Sequence, residues 1–252
     1  MLFTRTLGKC LLPALLTICG GAMADSSPPG AAEAASGDGW AFKLTPSYYS
    51  TTHETAATDL NLRANNGPHA MWLGYYRRGD EFEQTRTGYE YTAQYSLVQV
   101  VPSLQLASHG FAGGSINLRI GDSIYGLLGF GRTNMKDYYN LNFDPNDSIV
   151  VGLGTRLLPQ SDLSVFSVID DRLHTGQTVT HLVWRLTPGS GERWTVDLSS
   201  KRGRATPDDS VVSGQAVALT YNHKAVFVRL AVDRKVNFSN DDQTRLALGL
   251  RF

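Results

Sequence analysis

Histidine, serine and carboxylate spacing is the first place to look for chemistry in this chain. A hydrolase working from a β-strand pairs a histidine with a serine two positions on. Both then share one strand face, and the imidazole activates the hydroxyl. The six histidines, His53, His69, His109, His174, His181 and His223, are followed at that distance by Thr55, Met71, Phe111, Gly176, Val183 and Ala225. None meets a serine. Asp170 and Asp171 with His174 echo the carboxylate and histidine pairs of strand-borne proteases. They fall at a strand-to-loop edge, however, where solvated charge is the ordinary reading. No His/Cys/Asp spacing fits zinc. The residues therefore predict no enzyme, no metal and no cofactor, with an outer-membrane hydrolase the least favoured alternative.

The elements that carry these residues have a period of two. Thr244, Leu246, Leu248, Leu250 and Phe252 alternate with Arg245, Ala247, Gly249 and Arg251. Trp40, Phe42, Leu44 and Tyr48 do the same against Lys43, Thr45 and Ser47, as do Val226, Val228, Leu230 and Val232 against Arg229, Ala231 and Asp233. One face meets an apolar medium and the other a polar one. Segments 70–77 and 123–133 alternate poorly, so their facing stays open.

Two solvents fit such strands. A soluble sandwich or barrel turns the apolar face inward, whereas a transmembrane barrel turns it out to lipid. Three features favour lipid. The polar face is rich in Gly, Ala, Ser, Thr and Arg, as a confined lumen requires. Tyr and Trp crowd the strand ends, among them Tyr49, Trp72, Tyr76, Tyr95 and Trp184, as interfacial girdles do. Leu248, Leu250 and Phe252 close an alternating strand on an aromatic, the pattern read as an assembly signal by the barrel-assembly machinery. Turns near 65–67, 96–97, 121–122, 159–161, 188–191 and 222–223 take turns with longer polar connections. The expected fold is all-β: an antiparallel transmembrane up-and-down β-barrel of about fourteen strands, or twelve if the weak stretches at 57–78 pair differently.

The N-terminus is an address. Arg5 and Lys9 precede an apolar run from Cys10 to Ile18, and small residues end in Ala22-Met23-Ala24. Residues 1–24 are expected to be a signal peptide, 25–39 a flexible periplasmic lead-in and 40–252 the barrel. Elsewhere no apolar run reaches about 18 residues, which excludes a helical membrane protein. The whole chain balances 23 basic against 23 acidic residues, which argues against nucleic acid. Both cysteines, Cys10 and Cys19, would leave with the signal, so the mature chain cannot be a disulfide scaffold. The expected location is the cell outer membrane, with lipid and lipopolysaccharide as neighbours.

Strand parity then sorts the charge. Lys43, Arg63, Arg86, Arg119, Arg156, Arg185, Arg193, Arg229, Arg245 and Arg251 fall on the inward face, against Asp59, Glu90, Asp197 and Asp233. One reading is a weakly anion-favouring pore, because charge in a low-dielectric wall focuses its field on passing ions. The other is a structural network in which arginines pair with those acids across strands. Arg78-Gly79-Asp80 sits in an expected outer loop and supplies an adhesin or receptor alternative. Acidic residues at expected loop tips, Asp144, Asp147, Asp208, Asp209, Asp241 and Asp242, face solvent or lipopolysaccharide-bound cations on the same reading.

The order of residues in RRGDEFEQTRTGYEYTAQY (from 77), GRTNMKDYY (131–139), WRLTPGSGERWTVDLSSKRG (184–203) and the closing LALGLRF resembles the YaiO-type family of outer-membrane barrels. The resemblance covers most of residues 40–252. It implies a barrel associated with surface polysaccharide systems and supplies no catalytic residues.

Overall fold

The computed structural model describes residues 39–141 and 144–252. The expected signal peptide and residues 25–38 of the lead-in lie outside the described residues. Alternating sequence becomes strand throughout. β1 (Ala41–Thr51), β2 (Ala57–Asn66) and β3 (His69–Arg78) lead into β4, which runs over Phe82–Tyr91 and resumes at Ala93–Tyr95. Thr92 interrupts β4 only locally, and its N–H donates to the Pro68 carbonyl at 2.8 Å. Next come β5 (Val98–Ala107), β6 (Phe111–Gly121), β7 (Ile124–Thr133), β8 (Ser148–Thr155) and β9 (Ser161–Asp170). β10 (Thr178–Gly189), β11 (Glu192–Gly203), β12 (Val212–His223), β13 (Val226–Asp233) and β14 (Gln243–Arg251) complete the series.

Each strand pairs antiparallel with its sequence neighbours, and β1 pairs with β14 from Lys43↔Arg251 to Thr51↔Gln243. The result is a closed 14-stranded up-and-down barrel. Closure matters because an open edge would present unpaired N–H and C=O groups to lipid. The seam is reinforced past β14. Phe42 and Phe252 exchange backbone hydrogen bonds at 2.8 and 3.0 Å, and their rings stack 5.7 Å apart.

The wall inverts the usual distribution of polarity. Leu60, Leu73, Leu104, Leu153, Leu230 and Leu248 are exposed on the outer face, while Asp59, Gln84, Arg86, His181, Lys201 and Asp233 are buried inside. This is the pattern of a barrel whose outer solvent is lipid. It also fixes the two weakly alternating segments. In β3, Ala70, Gly74 and Tyr76 are buried between exposed Met71, Leu73 and Tyr75. In β7, Tyr125 and Gly131 are the buried residues.

Three aromatic assignments change as a consequence. Tyr49 and Tyr76 are buried in the lumen, and Trp72 shares their inward parity with its ring against Arg63. They fill the interior, whereas Tyr48, Tyr75, Tyr95, Trp184 and Trp194 stay exposed on the outer face. The turn expected near 222–223 lies two residues later, between β12 and β13. At the β2–β3 turn, Gly67 has φ +53°, a left-handed conformation that glycine adopts without steric cost.

The larger correction concerns the connection 134–147. Its residues were expected to form an outer loop with Asp144 and Asp147 at a solvated tip. Instead Tyr138, Tyr139, Asn140, Asp144, Asn146 and Asp147 are buried. Its described residues, 134–141 and 144–147, fold into the barrel, because the two tyrosines and the carboxylates find partners on the inner wall.

Candidate functional site in the barrel lumen

Strands from both sides of the lumen hold the inserted segment. From β4, the Gln84 amide donates to the Asp137 carbonyl at 3.1 Å, and its oxygen accepts the Tyr139 N–H at 2.9 Å. The Tyr139 ring stacks on Tyr76 with centroids 4.0 Å apart, and the two join Tyr49 and Ala57 in one apolar cluster. Tyr138 stacks on Phe111 of β6 at 4.4 Å and accepts a short hydrogen bond from Gln105 of β5. Arg245 of β14 donates to the Leu141 carbonyl at 2.9 Å.

The far end of the segment is fastened by charge. His181 on β10 donates from Nε2 to Asp144 at 3.0 Å and from Nδ1 to Asp197 on β11 at 2.9 Å. Carboxylates only accept, so a ring that satisfies both carries a proton on each nitrogen. The imidazole also stacks on Phe166 of β9, 4.9 Å away. Asp147 accepts from the Thr133 hydroxyl at 2.6 Å and from Arg172 at 2.8 Å. The acidic tip is therefore a set of internal anchors.

The predicted lumen residues divide between two zones. In the half nearer the long connections, acids and bases are matched: Arg86 with Asp59, and Lys201 with Asp233, as buried ion pairs. Arg245 lies over the Tyr49 ring. Toward the short turns the balance is basic. Arg63 pairs with Glu90. Lys43 stands beside Arg251 and Arg63 in register on β14, β1 and β2. Arg251 reaches the Asn222 amide oxygen at 2.5 Å, and Arg193 and Arg229 share this inward parity. Arg119, Arg156 and Arg185 gather around Asp162, with Arg156 just past the end of β8.

Asp162, Tyr125, Lys201 and Gln84 were not among the predicted site residues. Their strand parity was available in the sequence, since Asp162 matches Ser164 and Phe166, and Lys201 matches Asp197. Partners on other strands were not available from it. Aromatic rings also lie over inward glycines of adjacent strands. Trp72 covers Gly88, Tyr125 covers Gly154 and Phe227 covers Gly249 so closely that an added Cβ would fall within each ring.

The other sequence features resolve as structure. Asp170 accepts the Thr175 hydroxyl at 2.6 Å together with backbone N–H groups of its turn, and Asp171 is bidentate with Arg132. Both acids shape a turn. Arg78 is engaged by Glu54 at 2.8 Å and Glu81 at 3.5 Å, so its guanidinium belongs to the loop base and does not extend beside Asp80. Among the described residues, no group of three or more His, Cys, Asp or Glu is placed to hold a metal ion.

A closed 14-stranded wall, apolar outside and charged inside, with most of one long connection folded into its lumen, defines a transmembrane β-barrel of porin-like fold. The comparison with solved structures agrees on the fold. The outer membrane protein Omp33 of Acinetobacter baumannii superposes with a TM-score of 0.56 at 9% identity, over 84% of this chain and 98% of that one. A variant of the Rhodopseudomonas blastica porin gives 0.51 at 10% identity, over 85% and 99%. No family model and no curated protein matches the sequence.

Proposed function

We propose that this barrel is a water-filled pore of weak anion preference, with segment 134–147 setting its narrowest passage. The observation that carries the reading is the uneven charge of the lumen. Toward the short turns, Lys43, Arg63, Arg185, Arg193, Arg229 and Arg251 face inward, with Glu90 and Asp162 as the strand-borne acids among them. Their field is concentrated by the low-dielectric wall and favours anions. Short turns face the periplasm in barrels of this class, so the basic zone is the periplasmic one. Leu248 and Leu250, exposed to lipid, together with Phe252, support the reading of the last strand as the signal for assembly machinery. A surface-polysaccharide context rests on the YaiO-type sequence segments alone. The receptor or adhesin alternative is weakened by the engagement of Arg78 with Glu54. Planar-bilayer recordings in a salt gradient test the pore: discrete steps with a reversal potential on the anion side are expected. Silence, or cation preference, would overturn it.

A further inference from the structure

The cluster around Asp162 has more donors than its acceptor can use. Asp162 Oδ1 accepts the Tyr125 hydroxyl at 2.6 Å, and Oδ2 accepts Arg156 Nε at 2.9 Å. Each carboxylate oxygen thus already accepts one short hydrogen bond. Arg119 and Arg185 stand back at 3.9 and 3.7 Å, beyond ordinary hydrogen-bond length. Arg119 Nη2 is shielded from water and has no hydrogen-bond partner. Three guanidiniums against one carboxylate leave an excess of positive charge, and unfilled guanidinium donors in a shielded place are costly.

The arrangement is also rigid. The Arg119 guanidinium lies 3.7 Å from the centre of the Tyr125 ring, and Arg156 lies 5.8 Å from it. Tyr125 in turn packs over Gly154, where no side chain competes for the space. The Arg119 and Arg185 side chains are 11% and 15% exposed, so part of each remains open to solvent even though Arg119 Nη2 itself is shielded. Planar forks held in place suit ligands with two or more oxygens sharing a negative charge.

We propose that Arg119 and Arg185, flanking Asp162 at the short-turn end of the lumen, form a saturable site for an oxyanion group, the phosphate or carboxylate of a solute. The site deepens the pore reading by giving it a specific contact. Binding at equilibrium requires only that the lumen be open at this end. Asp162 is the built-in competitor that keeps the two arginines poised and limits affinity.

The test is calorimetric titration of the folded full-length barrel in non-ionic micelles at low ionic strength. The probes are inorganic phosphate and acetate, with chloride as control. Saturable heat with either oxyanion and none with chloride is expected, and the tighter of the two assigns phosphorylated or carboxylated solutes. Substituting both Arg119→Gln and Arg185→Gln should weaken binding at least about tenfold. Arg119→Lys with Arg185→Lys keeps the charge but loses the forks, and should weaken it as well. Asp162→Asn should tighten it. Heat-modifiable gel mobility identifies the folded variants. No saturable binding by the wild-type barrel, wild-type affinity in the lysine pair, or weaker binding by folded Asp162→Asn would each overturn the site. Loss of the site with anion preference intact in bilayers would leave the pore standing. A silent bilayer with binding intact would do the reverse.

Discussion

His181 and Asp144 are 37 residues apart in sequence and 3.0 Å apart in space, and their contact fastens the inserted segment to the inner wall. Their side chains are 7% and 4% exposed. Asp197 holds Nδ1 of the same imidazole, so the ring bridges the inserted connection and the strand pair β10–β11.

Replacing His181 by alanine removes the bridge and leaves two buried carboxylates facing one another. Breaking a buried charged pair costs about 3–5 kcal/mol, most of it from the stranded charge. The expected outcome is a lower urea midpoint for unfolding in micelles, together with larger and noisier conductance steps as the segment leaves the lumen. Unchanged conductance in a folded His181→Ala barrel would show that the bridge does not hold the segment.

The ion pair of Arg86 and Asp59 gives a second test, one of non-additivity. Among the described residues, its side chains are some of the most buried charges. Arg86→Met alone is expected to destabilise by about 3–5 kcal/mol, and pairing it with Asp59→Leu should recover much of that, since an apolar pair leaves no charge unpaired. Equal losses in the single and double variants would contradict the account.

Gly249→Val probes the aromatic cover. The Phe227 ring occupies the space of an added Cβ, so the ring or the strand must move. Overpacking of this kind costs about 1–3 kcal/mol. Refolding yield and urea midpoint should both fall for Gly249→Val. They should recover in part when Phe227→Ala is added. Independence of the two substitutions would refute the packing argument.

The outer connection between β13 and β14 gives a pH prediction. The Asp242 carboxylate accepts a short charged hydrogen bond from Arg234 and a second from the Lys235 N–H at 3.1 Å. The Arg234 bond, followed by the backbone bond, holds its pKa below the ordinary 3.8. A depressed carboxylate contributes order that is full above 3.8 and is lost as pH falls through the lower folded value. Carbon NMR titration of labelled aspartate should therefore place Asp242 below 3.8, and Arg234→Ala should return it toward that value. A titration at or above 3.8 in the wild-type barrel would remove Arg234 as its anchor.

The strand rhythm was legible because it obeys a local rule. Alternation from Phe42 through Arg251 needs only the period of the backbone and the polarity of each residue, so about fourteen strands, or twelve, could be read from the chain alone, with Arg63, Arg185 and Arg229 expected on the inward face. Where polarity was mixed, as with Trp72, Gly74 and Tyr76 in β3, only the register with β2 and β4 settled the facing. The lumen's contents needed the closed barrel. Asp144 and Asp147 look like any solvated loop acids in sequence, since nothing within a few residues of them supplies His181 or Arg172. Asp162 likewise gains its arginines from β6, the β8–β9 turn and β10. Amphipathic alternation is encoded residue by residue and determines the wall. Which buried charges meet depends on strand closure and on a chain folding back through the interior, contacts whose partners lie tens of residues away and exist only when the whole barrel is formed.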